Sequence, residues 1–171
     1  RQARRYAESI LHRRGETLET ILRLAALGPD ERALDVGTGA GFTAFALAPV
    51  TGSLIATDPT AEMLAEARRL AQEMRLAERI QWAMAAAEGL PLLSGSVDII
   101  TCRFATHHFH DLPSALKEFA RVLRPGGRAV ICDVVAPEPE ALVHLMNDLE
   151  QKRDPTHIWN YPLSQWQQEL L

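Results

Sequence analysis

The run Asp35-Val36-Gly37-Thr38-Gly39-Ala40-Gly41 puts an acid and three alternating glycines within seven residues. Glycine lets a backbone turn tightly and meet a ligand with no Cβ in the way. A helix expected from residue 42 would add unpaired N–H groups and a positive dipole end, suited to an anionic ligand group. A second acid, Asp58, closes a short apolar run 23 residues on from Asp35. A carboxylate there can accept both hydroxyl hydrogens of a ribose. The pair points to a nucleoside-bearing cofactor. Its spacing argues against a dinucleotide, whose fingerprint GxGxxG sets the third glycine three residues after the second. Here the gap is two, and Phe42 follows.

A second group of reactive side chains lies at Arg103, Phe104, Thr106, His107, His108, His110 and Asp111. His107 and His108 are the candidate catalytic residues, because imidazole titrates near neutral pH and could take a proton from a phenol, enol or amine. Asp111 reads as the N-cap of a helix beginning at Pro113. A metal held by His107, His108, His110 and Asp133 is not expected: adjacent histidines point different ways, and no second ligand cluster exists. Asp98 reads as structural, and Asp133 as near the site without an assigned role. Tyr6, Phe104 and Phe109 could offer ring faces to a cation, although plain packing explains each of them; Trp82 reads as core.

The elements that must position these groups follow from hydrophobic spacing. Helices are expected at about 16–27, 42–48, after Thr60 as cap, 113–123 and 138–152. Short apolar runs at 33–36, 53–58, 80–84, 97–102 and 129–135 read as strands. In the third helix Met63, Leu64, Ala67, Leu70, Ala71 and Met74 form the apolar stripe; in the fourth, Leu116, Phe119, Ala120 and Leu123 face inward. Strands alternating with helices imply a doubly wound, mainly parallel α/β sheet covered on both faces, with its ligand crevice at the carboxyl ends of the strands.

The 171 residues suffice for one domain with a real core. A net charge of −4, from 18 basic and 22 acidic residues, argues against nucleic-acid binding and a polybasic membrane surface. Residues 36–57 lack charge, but glycines and Pro49 break them, so no stable membrane insertion is expected. Cys102 and Cys132 read as buried thiols of a cytoplasmic protein, and residues 1–14 lack the apolar core of a signal peptide.

The sequence resembles the class I S-adenosylmethionine-dependent methyltransferases, nearest to the small-molecule branch of ubiquinone/menaquinone-biosynthesis C-methyltransferases. Five blocks in order carry this: Leu34 to Gly41, Asp58 to Leu64, Ala87-Glu88-Gly89-Leu90-Pro91, Val97 to Arg103, and Arg121 to Gly127. The resemblance implies a Rossmann-like fold and methyl transfer to a small molecule by in-line displacement, giving S-adenosyl-L-homocysteine. The glycine loop (Asp35, Gly37, Thr38, Gly39, Gly41) would hold the methionine part and Asp58 the ribose. Pro59, Met63, Ala87 and Glu88 would flank the adenine, with Cys102 and Arg103 near the sulfonium. No metal is implied.

Two departures stand out. The family often has Asp where Ala86 stands, so the adenine would rely on backbone near Ala87, on Glu88, or on Pro59 and Met63. The family sheet also ends with two further strands, so this chain, ending in Glu169-Leu170-Leu171, reads as truncated. Its fifth strand would then be an open edge suited to a homodimer. Residues 1–14, with Tyr6, Ile10 and Leu11 on one side, are expected to form a cap helix; residues 153–171, with Trp159, Tyr161 and Trp166, begin a substrate lid. The competing readings are a binding module without turnover and a nicotinamide-dependent oxidoreductase. Nucleic-acid methylation is disfavoured by charge and by Cys102-Arg103-Phe104-Ala105, where an Asn/Asp-Pro-Pro-aromatic tetrad would stand.

Overall fold

The computed structural model describes residues 15–170. Tyr6 and the cap helix expected at 1–14 therefore lie outside the described residues. The chain forms, in order, α1 (Glu16–Ala25), β1 (Arg32–Val36), α2 (Phe42–Leu47), β2 (Ser53–Asp58), α3 (Ala61–Glu73), β3 (Ile80–Met84), β4 (Val97–Arg103), α4 (Leu112–Val122), β5 (Leu123–Cys132), α5 (Glu140–Arg153) and α6 (Leu163–Glu169). Five strands pair in parallel in the order β3-β2-β1-β4-β5. The chain winds outward from β1 in one direction and returns to wind in the other from β4. The point of reversal, between β1 and β4, is where such sheets open a ligand crevice.

Strand alternation divides the core into two layers. Ala33, Leu54, Ala56 and Ile99 face one side, against Ala44, Phe45 and Leu47 of α2 and Leu70 and Ala71 of α3. Leu34, Val36, Ile100 and Cys102 face the other, against Leu112, Ala115, Phe119 and Val122 of α4 and Trp166 of α6. Every residue of β4 is buried, as expected of a strand covered on both faces. Trp82, on the edge strand β3, is half-buried and meets Phe45 edge-on, with ring centres 6.3 Å apart. Among the described residues no strand pairs with the outer edge of β5, and no helix is long and apolar enough to cross a membrane.

Several expectations are corrected. The α4 helix buries Leu112, Ala115, Phe119 and Val122, whereas Ala120 is exposed and Leu123 has left the helix. Leu123 starts β5 directly, pairing with Val97; the ladder then skips to Arg128 against Ile99, so Pro125-Gly126-Gly127 forms an irregularity within the pairing instead of a helix stop. The β5 strand ends at Cys132, short of Val135. Thr60 occupies the N-cap of α3 without a side-chain cap bond, and Met74 at the end of its stripe is exposed. Both cysteines are free, but only Cys102 is fully buried; Cys132 is half-buried on the edge strand.

Asp98 acts as a clasp at the amino end of the sheet. It accepts the Arg32 N–H at 2.7 Å and pairs with the guanidinium groups of Arg32 and Arg124. Those arginines are about half-exposed, so their ion pairs contribute little. The charged bond to the backbone of β1 matters more. Asp98→Ala is expected to destabilise the fold by about 1.5–3 kcal/mol in urea denaturation; a loss under about 0.5 kcal/mol, ordinary for a surface change, would show the clasp is idle.

Candidate active site

The glycine loop begins where β1 runs into Asp35, which is 1% exposed. Its carboxyl accepts the Thr38 hydroxyl at 2.6 Å and the Thr101 hydroxyl of β4 at 2.7 Å, tying the loop to two strands at once. Burial pushes its pKa up to about 6, against the pull of the two hydroxyls and the Arg103 charge. The sequence reading put Asp35 among the cofactor contacts; the structure instead places its carboxyl beneath the loop, on Thr38 and Thr101. The Thr38 N–H bonds to the carbonyl of Thr57 at 2.9 Å, so β2 also holds the turn.

Gly37, Gly39 and Gly41 all have left-handed backbone, at φ +64°, +54° and +91°. A Cβ on Gly37 would lie 2.4 Å from the Cβ of Ala105, so the loop is pressed against the segment after β4. A Cβ on Gly39 would meet nothing within 4 Å, so the backbone lies open to a ligand there. The helix that follows is only six residues long, which gives it a weaker positive end than the sequence reading supposed.

Asp58, the last residue of β2, is 7% exposed. One carboxylate oxygen accepts the Gly39 N–H and the other the Thr60 N–H, both at 2.9 Å. The second bond fixes Thr60, the N-cap residue of α3. Two bonds leave half of its acceptor capacity free. Pro59 is exposed and Met63 half-buried beside it.

After β3, Ala87 is buried and Ala86 exposed. Glu88 turns to the segment after β4, accepting the N–H groups of His110 (2.8 Å) and Asp111 (3.2 Å). It thus joins two loops of the crevice, a job that sequence reading missed when it assigned Glu88 to the adenine. From the other side Arg121 donates to the carbonyls of Leu90 and Leu92, and Glu118 accepts the Leu90 N–H. The Arg121 guanidinium holds the Glu118 carboxyl at about 2. The segment from 88 to 92 is clamped from both sides.

After β4 the picture changes most. The Cys102 thiol is fully buried in the core, and burial raises its pKa; it does not face the crevice, contrary to the sequence expectation. Arg103 is 8% exposed and donates to Thr43 at 3.2 Å and Thr17 at 3.1 Å, with its guanidinium 5.2 Å from the Phe104 ring centre. It ties α1 and α2 to β4 and does so from within the protein. Phe104 has a left-handed φ of +55°, a strained state for an aromatic residue, just where the strand gives way to the loop.

His107 and Asp133 meet across the carboxyl ends of β4 and β5. The His107 Nδ1 lies 2.7 Å from Oδ1 of Asp133, whose Oδ2 accepts the Thr106 hydroxyl at 2.5 Å and the His107 N–H at 3.2 Å. Burial raises the Asp133 pKa, but the bonds and charge from His107, with Thr106 and the Val134 N–H, win and hold it below the usual carboxylate range. The His108 ring is 4.1 Å from that of His107, and its Nδ1 lies 2.9 Å from the Thr156 carbonyl. Burial lowers its pKa. His157, 1% exposed, stacks on His107 with ring centres 5.6 Å apart and bonds Asn147 through Nε2 at 2.8 Å. The carbonyl of His107 accepts the N–H groups of Ile158 and Trp159, which docks the 154–162 segment onto the site.

Asp111 caps α4 as expected, through Ser114. His110 is exposed. Phe109 and Trp166 belong to the core, and Tyr161 packs against Trp166 at 6.1 Å. Trp159 meets His144 at 5.3 Å. No group of three or more His, Cys, Asp or Glu suited to a metal occurs among the described residues.

A parallel sheet with a left-handed glycine loop after its central strand, and an acid ending the next, defines a Rossmann-like cofactor protein of the adenosyl-binding kind. The chain belongs to the methyltransferase-domain family, whose pattern its residues 34–131 match, and is a class I S-adenosylmethionine-dependent methyltransferase by family. It is 40% identical over 167 residues, 98% of its length, to the uncharacterized methyltransferase YcgJ of Bacillus subtilis, and covers 66% of that protein. The crystal structure of YcgJ superposes with a TM-score of 0.87, covering 90% of this chain and 65% of that one. The ubiquinone/menaquinone biosynthesis C-methyltransferase UbiE of Geotalea daltonii is 35% identical over 120 residues, 68% of this chain and 51% of UbiE. A 2-phytyl-1,4-naphtoquinone methyltransferase of Synechococcus elongatus is 34% identical over 119 residues, again 68% and 51%. The chain thus spans about half to two thirds of the length of these curated relatives.

The raised pKa of Asp35 makes stability depend on pH. A native group that holds its proton more tightly than the unfolded one stabilises the fold at low pH, and this contribution disappears as pH rises through about 6. Asn at this position does not titrate. Between pH 4 and pH 7, wild type is therefore expected to lose about 2 kcal/mol of stability relative to Asp35→Asn in urea denaturation. An equal difference at both pH values would contradict the assignment.

Proposed function

We propose that the crevice between β1 and β4 binds S-adenosylmethionine, and that the protein transfers its methyl group to a small-molecule acceptor in the cytosol. The observation that carries this is the pairing of Asp58, with acceptor capacity left after its bonds to Gly39 and Thr60, and a glycine loop open at Gly39. These residues fit an adenosyl group: a carboxylate for two ribose hydroxyls, bare backbone for an amino-acid tail, and the apolar surfaces of Pro59, Met63 and Ala87 for a purine. Glu88 stiffens the adenine side by holding His110 and Asp111. When bound, the cofactor supplies a methyl group made electrophilic by its sulfonium.

The chain's own task is alignment. Holding two reactants in line can supply on the order of 7–11 kcal/mol of the barrier. Gly37 and Phe104 fix one wall of the crevice, and His107 and His108 stand on the acceptor side with the 153–170 segment as lid. The relatives named for ubiquinone/menaquinone biosynthesis and for a naphtoquinone support a small aromatic acceptor, and Trp159 and Tyr161 in the lid are its candidate contacts.

Calorimetry or thermal shift with S-adenosylmethionine, S-adenosylhomocysteine and NAD tests the reading. The first two are expected to bind and NAD not; stabilisation by NAD alone would replace this proposal with an oxidoreductase. Asp58→Ala is expected to weaken S-adenosylhomocysteine by roughly ten- to a hundredfold, about 1.5–3 kcal/mol. Unchanged affinity would mean the ribose is held elsewhere. Release of S-adenosylhomocysteine with a panel of phenols, quinols and amines separates an enzyme from a binding module without turnover.

A further inference from the structure

Two histidine rings lie against that of His107, His108 tilted at 4.1 Å and His157 stacked at 5.6 Å, and their hydrogen bonds give the three different jobs. His108 uses its Nδ1 on the Thr156 carbonyl, and His157 is fully buried with its Nε2 on Asn147. Both serve to dock the 154–162 segment. His107 differs. Its Nδ1 faces a carboxylate that is itself held by Thr106, by the backbone N–H of His107 and by that of Val134. The two side chains are 12% and 3% exposed, so little water competes for the bond. A carboxylate accepts and does not donate, which puts the ring proton on Nδ1. In the neutral ring Nε2 is then a bare lone pair, with no hydrogen-bond partner among the described residues. The neighbouring rings of His108 and His157 further restrict how the His107 ring can turn.

We propose that Asp133 positions His107 as the general base of the transfer, so that the acceptor is a molecule whose reaction releases a proton: a phenolic or enolic hydroxyl methylated on oxygen or on the adjoining carbon. This rests on the methyl-transfer reading above. The acceptor gives its proton to Nε2 of His107, which becomes an imidazolium facing the Asp133 carboxylate. The acceptor's electron pair forms the new bond to the methyl carbon, while the old carbon–sulfur pair leaves with the sulfur as a neutral thioether. Charge balances: the positive charge lost from sulfur reappears on the imidazolium. The charged and titratable neighbours of that imidazolium are Asp133 from the end of β5, His108 beside it, and His157 from the segment after α5, with Asp154 acting on the last two. An arrangement of this type, a histidine with a carboxylate on Nδ1, sets both tautomer and aim.

The test compares wild type, Asp133→Asn and His107→Gln. Calorimetry with S-adenosylmethionine comes first; if wild type does not bind it, the transfer reading falls and takes this proposal with it. Given binding, nitrogen-15 NMR of the histidine rings is expected to show His107 carrying its proton on Nδ1 in wild type. A ring protonated on Nε2 in the neutral protein overturns the proposal whether or not an acceptor is turned over. Methyl transfer is then measured with 2-methyl-1,4-hydroquinone and with benzenethiol, a nucleophile that ionises without help. Wild type is expected to methylate the hydroquinone. Asp133→Asn should lower kcat about 10²–10⁴-fold, with cofactor affinity within about threefold and the rate recovering as pH rises. His107→Gln should lose at least as much. Equal rates across pH in Asp133→Asn, or transfer to the thiol alone or to neither compound, overturn it.

Discussion

Residues 37–41 hold three left-handed backbone positions, and two buried carboxylates keep them in place. Asp35 pins the loop from below through Thr38 and reaches across to Thr101 on β4. Asp58 pins it from the side through Gly39, and its other oxygen accepts the N–H of Thr60, the N-cap residue of α3. Both are acids where burial opposes charge, so the loop's shape depends on hydrogen bonds that satisfy them. Without those bonds, the close approach of Gly37 to Ala105 and the open face at Gly39 would not be held together.

Much of this could be read from the sequence, for a physical reason. Strands covered on both faces leave apolar runs, and 53–58 and 80–84 match β2 and β3 to the residue. Glycines with an acid on either side mark a turn that few other residues could make. The N-cap role of Asp111 and the structural role of Asp98 follow from their places at element ends. The expectation failed where side-chain direction decided the outcome. Cys102 and Arg103 end the same strand, and pleating sends the thiol into one core layer while Arg103 reaches Thr43 and Thr17. Ala120 and Leu123 continue the α4 spacing on paper, but the helix stops at Val122 because β5 begins at once.

The least legible feature was Asp133. Its place near the site, at the carboxyl end of the fifth strand, could be read, but its role could not, because its partners lie 26 and 27 residues away in sequence. Only the β4–β5 register, which sets Arg103 beside Cys132, shows that the next residues on each side meet at the same end of the sheet. The His157, Asn147 and Asn160 cluster was hidden for the same reason: Asn147 lies on α5 and the others in the segment that folds back to it. Local periodicity carries information along a chain, and contacts between loop ends carry almost none of it.

The resulting division of labour is spatial. The loop side of the crevice, proposed above to take the nucleoside, is tied to its neighbours through Asp35, Thr38 and Asp58. The other side is built of rings and of the 154–162 segment, held by His107, His108 and Asn147. A scaffold of this kind can keep one cofactor while its acceptor side varies.

The most direct test is a crystal structure of the protein with S-adenosylhomocysteine bound. The account expects both ribose hydroxyls within about 2.5–3.0 Å of the Asp58 carboxylate, the amino-acid tail along Gly37 to Gly41, and the adenine beside Pro59, Met63 and Ala87. A ligand bound elsewhere, or a ribose turned away from Asp58, would contradict it.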